Sequence, residues 1–328
     1  MKYRKLGNTH MKVSEISLGT WQVGGGWGGD FDQSAASKIL HTAIDHGVNF
    51  LDTADVYDAG LSEAAVGKLL KERSEEIYVA SKCGRQISPH TSEGYTVEAL
   101  RGYVEDSLKN IGIEALDLIQ LHCPPTEVYR RDEIFGLFDR LKDEGKIKHL
   151  GVSVEKVQEA QMAMAYPNVK TVQLIFNMFR QKPADHFFEE AKQKNIGIIA
   201  RVPLASGLLS GKMNKGREFE ENDHRKFNRE GQAFDKGETF SGVDFDRGLE
   251  AVEALKEVFG EKEPLAAWAL RWILMYDEVS TVIPGASKEE QVKANILAAG
   301  HPALSQEQME AVKSIYDTYI KAEVHHLW

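Results

Sequence analysis

The chain has 328 residues, is 42% apolar and carries a formal net charge of −10. That length admits one large α/β barrel or two ordinary domains, and the acidic balance argues against nucleic acid as a partner, because phosphate binding needs a basic surface. Two cysteines, Cys83 and Cys123, make no disulfide framework, no apolar run reaches membrane-spanning length, and the opening residues lack the apolar core of a signal peptide; the expectation is a soluble cytoplasmic protein with no membrane partner.

Residues 3–17 (YRKLGNTHMKVSEIS) read as a hairpin turning at Gly7-Asn8. Short apolar runs follow at 15–19, 48–52, 77–82, 116–122, 147–153, 171–176, 196–202 and 279–283. Helical patterns lie between them. DQSAASKILHTAIDHG ends on Gly47, SEAAVGKLLKERS opens on Ser62 as a candidate N-cap, and TVEALRGYVEDSLKNIG runs from Thr96 to Gly112. Three more stop at Gly145, before Pro167 and at Gly197. Strands alternating with helices imply a parallel sheet. Eight such units favour a closed (β/α)8 TIM barrel with an N-terminal β-hairpin over an open doubly wound sheet. With no linker in view, residues 1–328 form a single domain.

One interval breaks the rhythm. Residues 213–247 are charged and poor in aliphatics, and predict a long, mobile loop at the barrel mouth. After it come LEAVEALKEVFG and PLAAWALRWILMY, the latter with Pro264 in its first turn. Two further helical patterns follow the eighth strand, so two helices are surplus to the barrel.

The run GGGWGG at 24–29 satisfies G-x-G-x-x-G, and Asp52 ends the next strand, as in a dinucleotide-binding fingerprint. That motif needs its last glycine inside the following helix, whereas here Asp30-Phe31-Asp32 intervenes. The run reads instead as a loop over the first strand, with Trp21 and Trp27 as wall or lid residues or as plain surface.

In a parallel barrel the working groups sit at the C-terminal ends of the strands. The second, third and fourth runs end on Asp52, Lys82 and His122. Three ionisable groups at one rim must pair with each other or with a ligand, because unpaired buried charge is costly. Tyr57 follows closely on Asp52. A free tyrosine titrates near ~10, and an adjacent ammonium lowers that value, so the four predict a proton donor tuned for a developing alkoxide. No spacing suggests a metal site.

These residues resemble the aldo-keto reductase family over nearly the whole chain: LGTW (18–21), FLDTADVY (50–57), ASK (80–82), DLIQLH (117–122), GVS (151–153), VQ (172–173), PLASGLLSGK (203–212) and VIPGASKEEQVKAN (282–295). The resemblance implies a catalytic tetrad of Asp52, Tyr57, Lys82 and His122, and NADP(H)-dependent reduction of aldehydes and ketones with Tyr57 as general acid. It implies further that Ser153 and Gln173 meet the nicotinamide carboxamide, with Thr20, Trp21 and Asp52 nearby. Val202, Pro203, Leu204, Ser206, Gly207 and Lys212 would follow the pyrophosphate. Gly285, Ser287, Lys288, Gln291 and Asn295 would enclose the adenosine.

Three positions depart from the family pattern. Val154 stands where an asparagine is usual, Arg201 where a tyrosine stacks on the nicotinamide, and Gln291 where many members have arginine. Arg201 would stack in the tyrosine's place or pair with an acidic neighbour, and NAD(H) stays the alternative to NADP(H). Cys83 and Cys123 each follow a tetrad residue; one reading makes them redox-sensitive groups near the site, as in a redox-sensing subunit, and the favoured one has them face away from it as small packed residues. The rival functions are a cofactor-binding regulatory subunit, a barrel enzyme forming a Schiff base on Lys82, and a Rossmann dehydrogenase. Specificity should lie in residues 22–32, 123–131, 213–247 and the tail 322–328, where Trp328 either joins Trp21 and Trp27 around a pocket or packs elsewhere.

Overall fold

The computed structural model describes residues 1–25, 30–260 and 262–328. Tyr3–Lys5 (β1) and Lys12–Ser14 (β2) pair antiparallel. Between them Gly7 takes φ +52° and lies so close to Gly197 that a Cβ there would meet backbone at 2.2 Å. Eight parallel strands follow: β3 (Leu18–Gly19), β4 (Phe50–Asp52), β5 (Tyr78–Cys83), β6 (Leu116–His122), β7 (Ile147–Ser153), β8 (Val169–Ile175), β9 (Gly197–Arg201) and β10 (Val279–Val282). They pair in chain order from β3 to β10. The first and last are joined by Ser17 N to Val282 O at 2.8 Å and Val282 N to Glu15 O at 3.0 Å, with a further bridge between Gly19 and Gly285. The sheet is therefore a closed barrel and not an open doubly wound sheet, and closure removes the exposed strand edges.

Helices wrap it: α1 (Gln33–Asp45), α2 (Leu61–Glu72), α3 (Val97–Ile111), α4 (Asp132–Asp143), α5 (Val157–Ala163), α6 (Phe187–Gln193), α7 (His224–Phe227), α8 (Phe245–Phe259), α9 (Leu265–Ile273), α10 (Glu289–Ala298), α11 (Gln306–Ile315) and α12 (Lys321–Val324). Helix α3 shows the local logic: Thr96 Oγ1 caps Ala99 N at 3.1 Å and Gly112 ends it at φ +74°. Two long helices, α8 and α11, and the one-turn α7 and α12 are additional to the βα repeat, and a π-turn at 316–320 joins α11 to α12. None of the described helices is long and apolar enough to cross a membrane.

Several boundaries differ from expectation. Ser62 is not the N-cap of α2; Gly60 is, with φ +88°, and the Ser62 hydroxyl turns inward to Thr20 Oγ1 at 2.7 Å. The helix before β9 stops at Lys194, Asn195 supplies the positive φ, and Gly197 already belongs to the strand. Pro264 caps α9 from outside its first turn. The 213–247 segment is not a loose loop: short helices at 224–227, 236–238 and 240–242 fold it back, and Asp223, His224, Asn228, Thr239 and Ser241 are buried. Ion pairs close within it, Asp223–Arg225, Glu221–Lys226 and Glu230–Lys236, while Glu238 reaches Arg85, and composition reveals none of these. Trp27 and the glycines at 26, 28 and 29 of the 24–29 run lie outside the described residues.

The barrel interior is layered by the two-residue period of its strands. At the floor, Leu6, Met11 and Val13 of the hairpin meet Phe50, Ala80, Leu118, Ile199 and Ile283 in one apolar cluster. Burying each of the larger side chains there contributes about 1.5–3 kcal/mol. Two residues further up each strand the lining turns polar, at Asp52, Lys82 and Gln120. At the mouth stand His122, two residues beyond Gln120, and Arg201, two beyond Ile199.

Candidate active site

Asp52 and Lys82 end adjacent parts of β4 and β5, and both are about 1% exposed. Lys82 Nζ donates to Asp52 Oδ1 at 2.5 Å, to Thr53 O at 2.9 Å and to Tyr57 Oη at 3.1 Å. The second carboxylate oxygen accepts from Gln120 Nε2 at 3.0 Å and Gln173 Nε2 at 2.8 Å. Gln120 is a site residue that the strand-end reading missed. It stands two positions before His122 and so shares its face, a signal present in the period-2 pattern.

The turn at 57–60 brings Tyr57 back over the lysine. Asp58 and Ala59 take φ +48° and +52° before Gly60. A Cβ on Gly60 would crowd Asn110 at 2.8 Å, so the sharp reversal depends on glycine there. The Tyr57 ring lies 4.8 Å from Lys82 Nζ, stacks on Trp21 at 6.1 Å and faces His122 edge-on at 6.1 Å. Burial pushes the Tyr57 phenol up and Lys82 pulls it down, with a net rise above the ordinary value. The expected net lowering is thus not found in the free protein, and the phenol stays protonated. Lys82 moves the other way: burial pulls it down, Asp52 and Tyr57 more than offset this, and it stays charged. His122 falls well below its usual value through burial first and the charges of Lys82, Arg85 and Arg201 second. It is a neutral imidazole, and its Nδ1 has no hydrogen-bond partner among the described residues.

The mouth holds a second set of charges. Arg201 Nη2 lies 2.9 Å from Glu155 Oε2 and donates to Val154 O at 3.2 Å. Arg85 Nη2 donates to Glu238 Oε1 at 3.1 Å, and Arg201 Nη1 lies 3.8 Å from the same oxygen. Arg201 therefore does pair with an acidic neighbour. Cys123 leaves the strand at φ +48°, so it does not face away: its Sγ lies 3.5 Å from both Ser153 Oγ and Arg201 Nη2. Cys83 does pack in the outer core. Cys123, Glu155 and Glu238 are close enough to share a metal ion, yet a guanidinium already engages each of the two carboxylates.

The remaining candidates fall into two groups. Around the mouth, Ser153 Oγ donates to Gln173 Oε1 at 3.4 Å, and Thr20 N donates to Asp52 O at 2.9 Å. Trp21 is half exposed and tilts against His224 at 5.3 Å. From Val202 the chain passes through Pro203, Leu204, Ala205, Ser206 and Gly207, with positive φ at Val202, Ala205, Ser206 and Gly207. Such turning backbone presents successive N–H groups and forms anion-binding concavities. It leads to the exposed Lys212. On the far side a groove of about 250 Å³ separates the N-termini of α1 and α10, lined by Asp32, Ser34, Lys38, Ser287, Lys288 and Glu289. Gln291 Oε1 accepts from Ser287 N at 2.8 Å, and Asn295 Nδ2 donates to Gly285 O at 3.4 Å. A dinucleotide fits these residues: a turning backbone of the anion-binding kind, a polar pocket, and a groove in which Lys38 and Lys288 stand among Asp32, Glu289 and Glu290.

A sequence model described as the aldo/keto reductase family matches residues 15–317. An uncharacterised oxidoreductase, YqkF of Bacillus subtilis, is 29% identical over 320 residues, covering 96% of each chain. The NADH-specific methylglyoxal reductase of Escherichia coli is 26% identical, covering 91% of this chain and 93% of its own. Among solved structures, the aldo-keto reductase AKR11C1 of Bacillus halodurans in its holo form superposes with a TM-score of 0.77 at 28% identity, covering 96% of each chain.

Proposed function

The chain belongs to the aldo/keto reductase family of oxidoreductases, and on that premise we propose that it reduces aldehydes and ketones to alcohols with NADP(H), Tyr57 acting as general acid. One observation carries the reading: a buried ammonium, Lys82 Nζ, touches both the Asp52 carboxylate and the Tyr57 hydroxyl at the barrel mouth.

When bound, the cofactor supplies a hydride from its nicotinamide. The residues of this chain manage the proton and the field. Tyr57 gives its proton to the carbonyl oxygen as negative charge develops there, which makes the phenol a phenolate beside Lys82. The ammonium, already 3.1 Å from the Tyr57 hydroxyl, holds it more strongly as negative charge grows there in the transition state, so that added help is spent on the reaction and not on binding. Asp52 keeps Lys82 charged and fixed, and Gln120 and Gln173 hold Asp52 from its other side. His122, neutral and with Nδ1 unpartnered among the described residues, hydrogen-bonds and orients the carbonyl. Solvent then reprotonates Tyr57. A Schiff-base role for Lys82 needs a neutral amine, whereas here three acceptors surround a charged one.

For the cofactor, Lys38 and Lys288 in the groove support NADP(H), since both can meet a 2′-phosphate. The Escherichia coli relative is named as NADH-specific, so NAD(H) is the alternative to be measured beside it. Two unpaired, buried cysteines suit a cytoplasmic setting. The test is Tyr57→Phe. It should keep NADPH binding, read by fluorescence quenching, and lose nearly all turnover with a panel of aldehydes and ketones. Full turnover in that variant refutes the mechanism.

A further inference from the structure

We propose that Arg85 and Arg201 form a carboxylate-recognition subsite, occupied in the free protein by Glu238, so that the preferred substrates are carbonyl compounds that also bear a carboxylate. This rests on the carbonyl-reductase reading and names its substrate class.

The argument starts from geometry. One oxygen, Glu238 Oε1, lies 3.1 Å from Arg85 Nη2 and 3.8 Å from Arg201 Nη1. The two arginines come from opposite parts of the barrel, after β5 and at the end of β9. They converge at the mouth, close enough to His122 for their charges to add to the burial that keeps it neutral. The Arg85, Arg201 and Glu238 side chains are only 18%, 10% and 12% exposed. A pair of largely desolvated guanidinium groups beside a carbonyl-binding histidine is a receptor for a planar anion, and Arg is suited to carboxylates by its fork of donors.

Charge bookkeeping identifies which carboxylate can leave. Burial pushes both glutamates up, but the Arg85 and Arg201 charges overcome this at Glu238 and keep it ionised, whereas Glu155 stays raised. Glu155 is fixed at the end of β7, where its own N–H donates to Glu159 at 3.1 Å. Glu238 belongs to the long segment between β9 and α8, so it can swing out without disturbing a strand. When it leaves, two guanidinium groups face one raised carboxyl, and an incoming carboxylate restores the balance. One donor is also unused: Arg201 Nε is buried without a hydrogen-bond partner among the described residues. A substrate carboxylate would supply what Glu238 does not.

The experiment compares para-formylbenzoate with its methyl ester, the same aldehyde with and without the anion. In the unmodified protein kcat/KM should favour the acid by at least about tenfold, the scale of a charge-assisted hydrogen bond. In Arg85→Gln that ratio should fall toward one. In Glu238→Gln the KM for the acid should drop, because the internal occupant is gone. A ratio near one in the unmodified protein, or a ratio unchanged by Arg85→Gln, overturns the proposal and leaves the four charges as a latch for the 213–247 segment. If neither aldehyde is reduced, the reductase reading fails separately. The subsite is then read by benzoate binding through tryptophan fluorescence. Glu238→Gln should bind benzoate at least about tenfold more tightly than Arg85→Gln, and equal affinities overturn the subsite.

Discussion

The Asp52–Lys82 pair allows a double-mutant cycle whose outcome follows from burial. Lys82→Met removes the only side-chain donor to Asp52 Oδ1 among the described residues, 2.5 Å away, and leaves Gln120 and Gln173 on the other oxygen. With Asp52 about 1% exposed, the carboxylate is stranded, and breaking a buried pair from one side costs about 3–5 kcal/mol. Asp52→Asn strands Lys82 in the same way, with Thr53 O and Tyr57 Oη as its remaining partners. The double variant strands neither charge. It should therefore recover at least about 3–5 kcal/mol, the cost of one single variant, relative to the sum of the single costs, since a neutral buried pair is often as stable as the ionic one. Urea unfolding followed by tryptophan fluorescence measures this. Each single variant should unfold at lower urea than the parent, and the double no earlier than the weaker single. Strictly additive costs would refute the view that these two residues exist as one buried ion pair.

Asp55 offers a pH test. Burial, with Glu63 beside it, pushes its carboxyl up from 3.8 to about 7. Between those values the folded chain holds a proton that the unfolded chain releases, so this group makes stability fall as pH rises from about 4 to about 7. Asp55→Asn should remove that slope and gain stability above pH 7, with a ceiling of about 4 kcal/mol; an unchanged pH profile of the melting temperature would refute it. Trp328 lies 3.8 Å from the Arg180 guanidinium, and its indole donates to Asp235 Oδ1 at 2.9 Å. Trp328→Ala should speed hydrogen exchange in residues 235–242 and raise KM more than it lowers kcat. Equal exchange in both proteins would show that the contact does not hold the segment. Lys288→Ala should weaken NADPH by about tenfold and NADH much less, as measured by fluorescence titration; equal weakening would remove Lys288 from the 2′-phosphate.

How far the sequence foretold this molecule depended on contact range. The eight strands could be read because each is a short apolar run bounded by helical periodicity, and Asp52, Lys82 and His122 could be read because strands deliver alternate residues to one rim. Gln120 was equally accessible and was passed over, since only ionisable strand ends were sought. Cys123 was misread because alternation fails once a residue takes φ +48°. The charged 213–247 segment looked like a solvated loop because composition shows neither the local pairs that fold it on itself, such as Asp223–Arg225 and Glu230–Lys236, nor the contact of Glu238 with Arg85, 153 residues away. Composition reports how many charges a segment has, but not whether another strand end awaits them.

That difference in range separates the two halves of the site. The lower half, Asp52, Lys82, Gln120 and Gln173, is set by strand register. Lys82 stands beside Gln120 across β5 and β6, and Gln173 beside Ser153 across β7 and β8. Sliding one strand would move all of these contacts together, so the proton-donating machinery is as rigid as the barrel. The upper half is held by Arg85, Glu155, Arg201 and Glu238; of these only Arg201 belongs to a strand, Arg85 and Glu155 follow β5 and β7 by two residues, and Glu238 comes from the long connection between β9 and α8. A substitution at Glu238 can therefore change which molecule is held without shifting the lysine beneath Tyr57. Substitutions at Gln120 or Gln173 act on Asp52 directly and should alter turnover of every substrate alike. On the proposed reading, Asp52, Lys82 and His122 are carried by strands and Tyr57 by the turn after β4, with selectivity in the segment that folds over them.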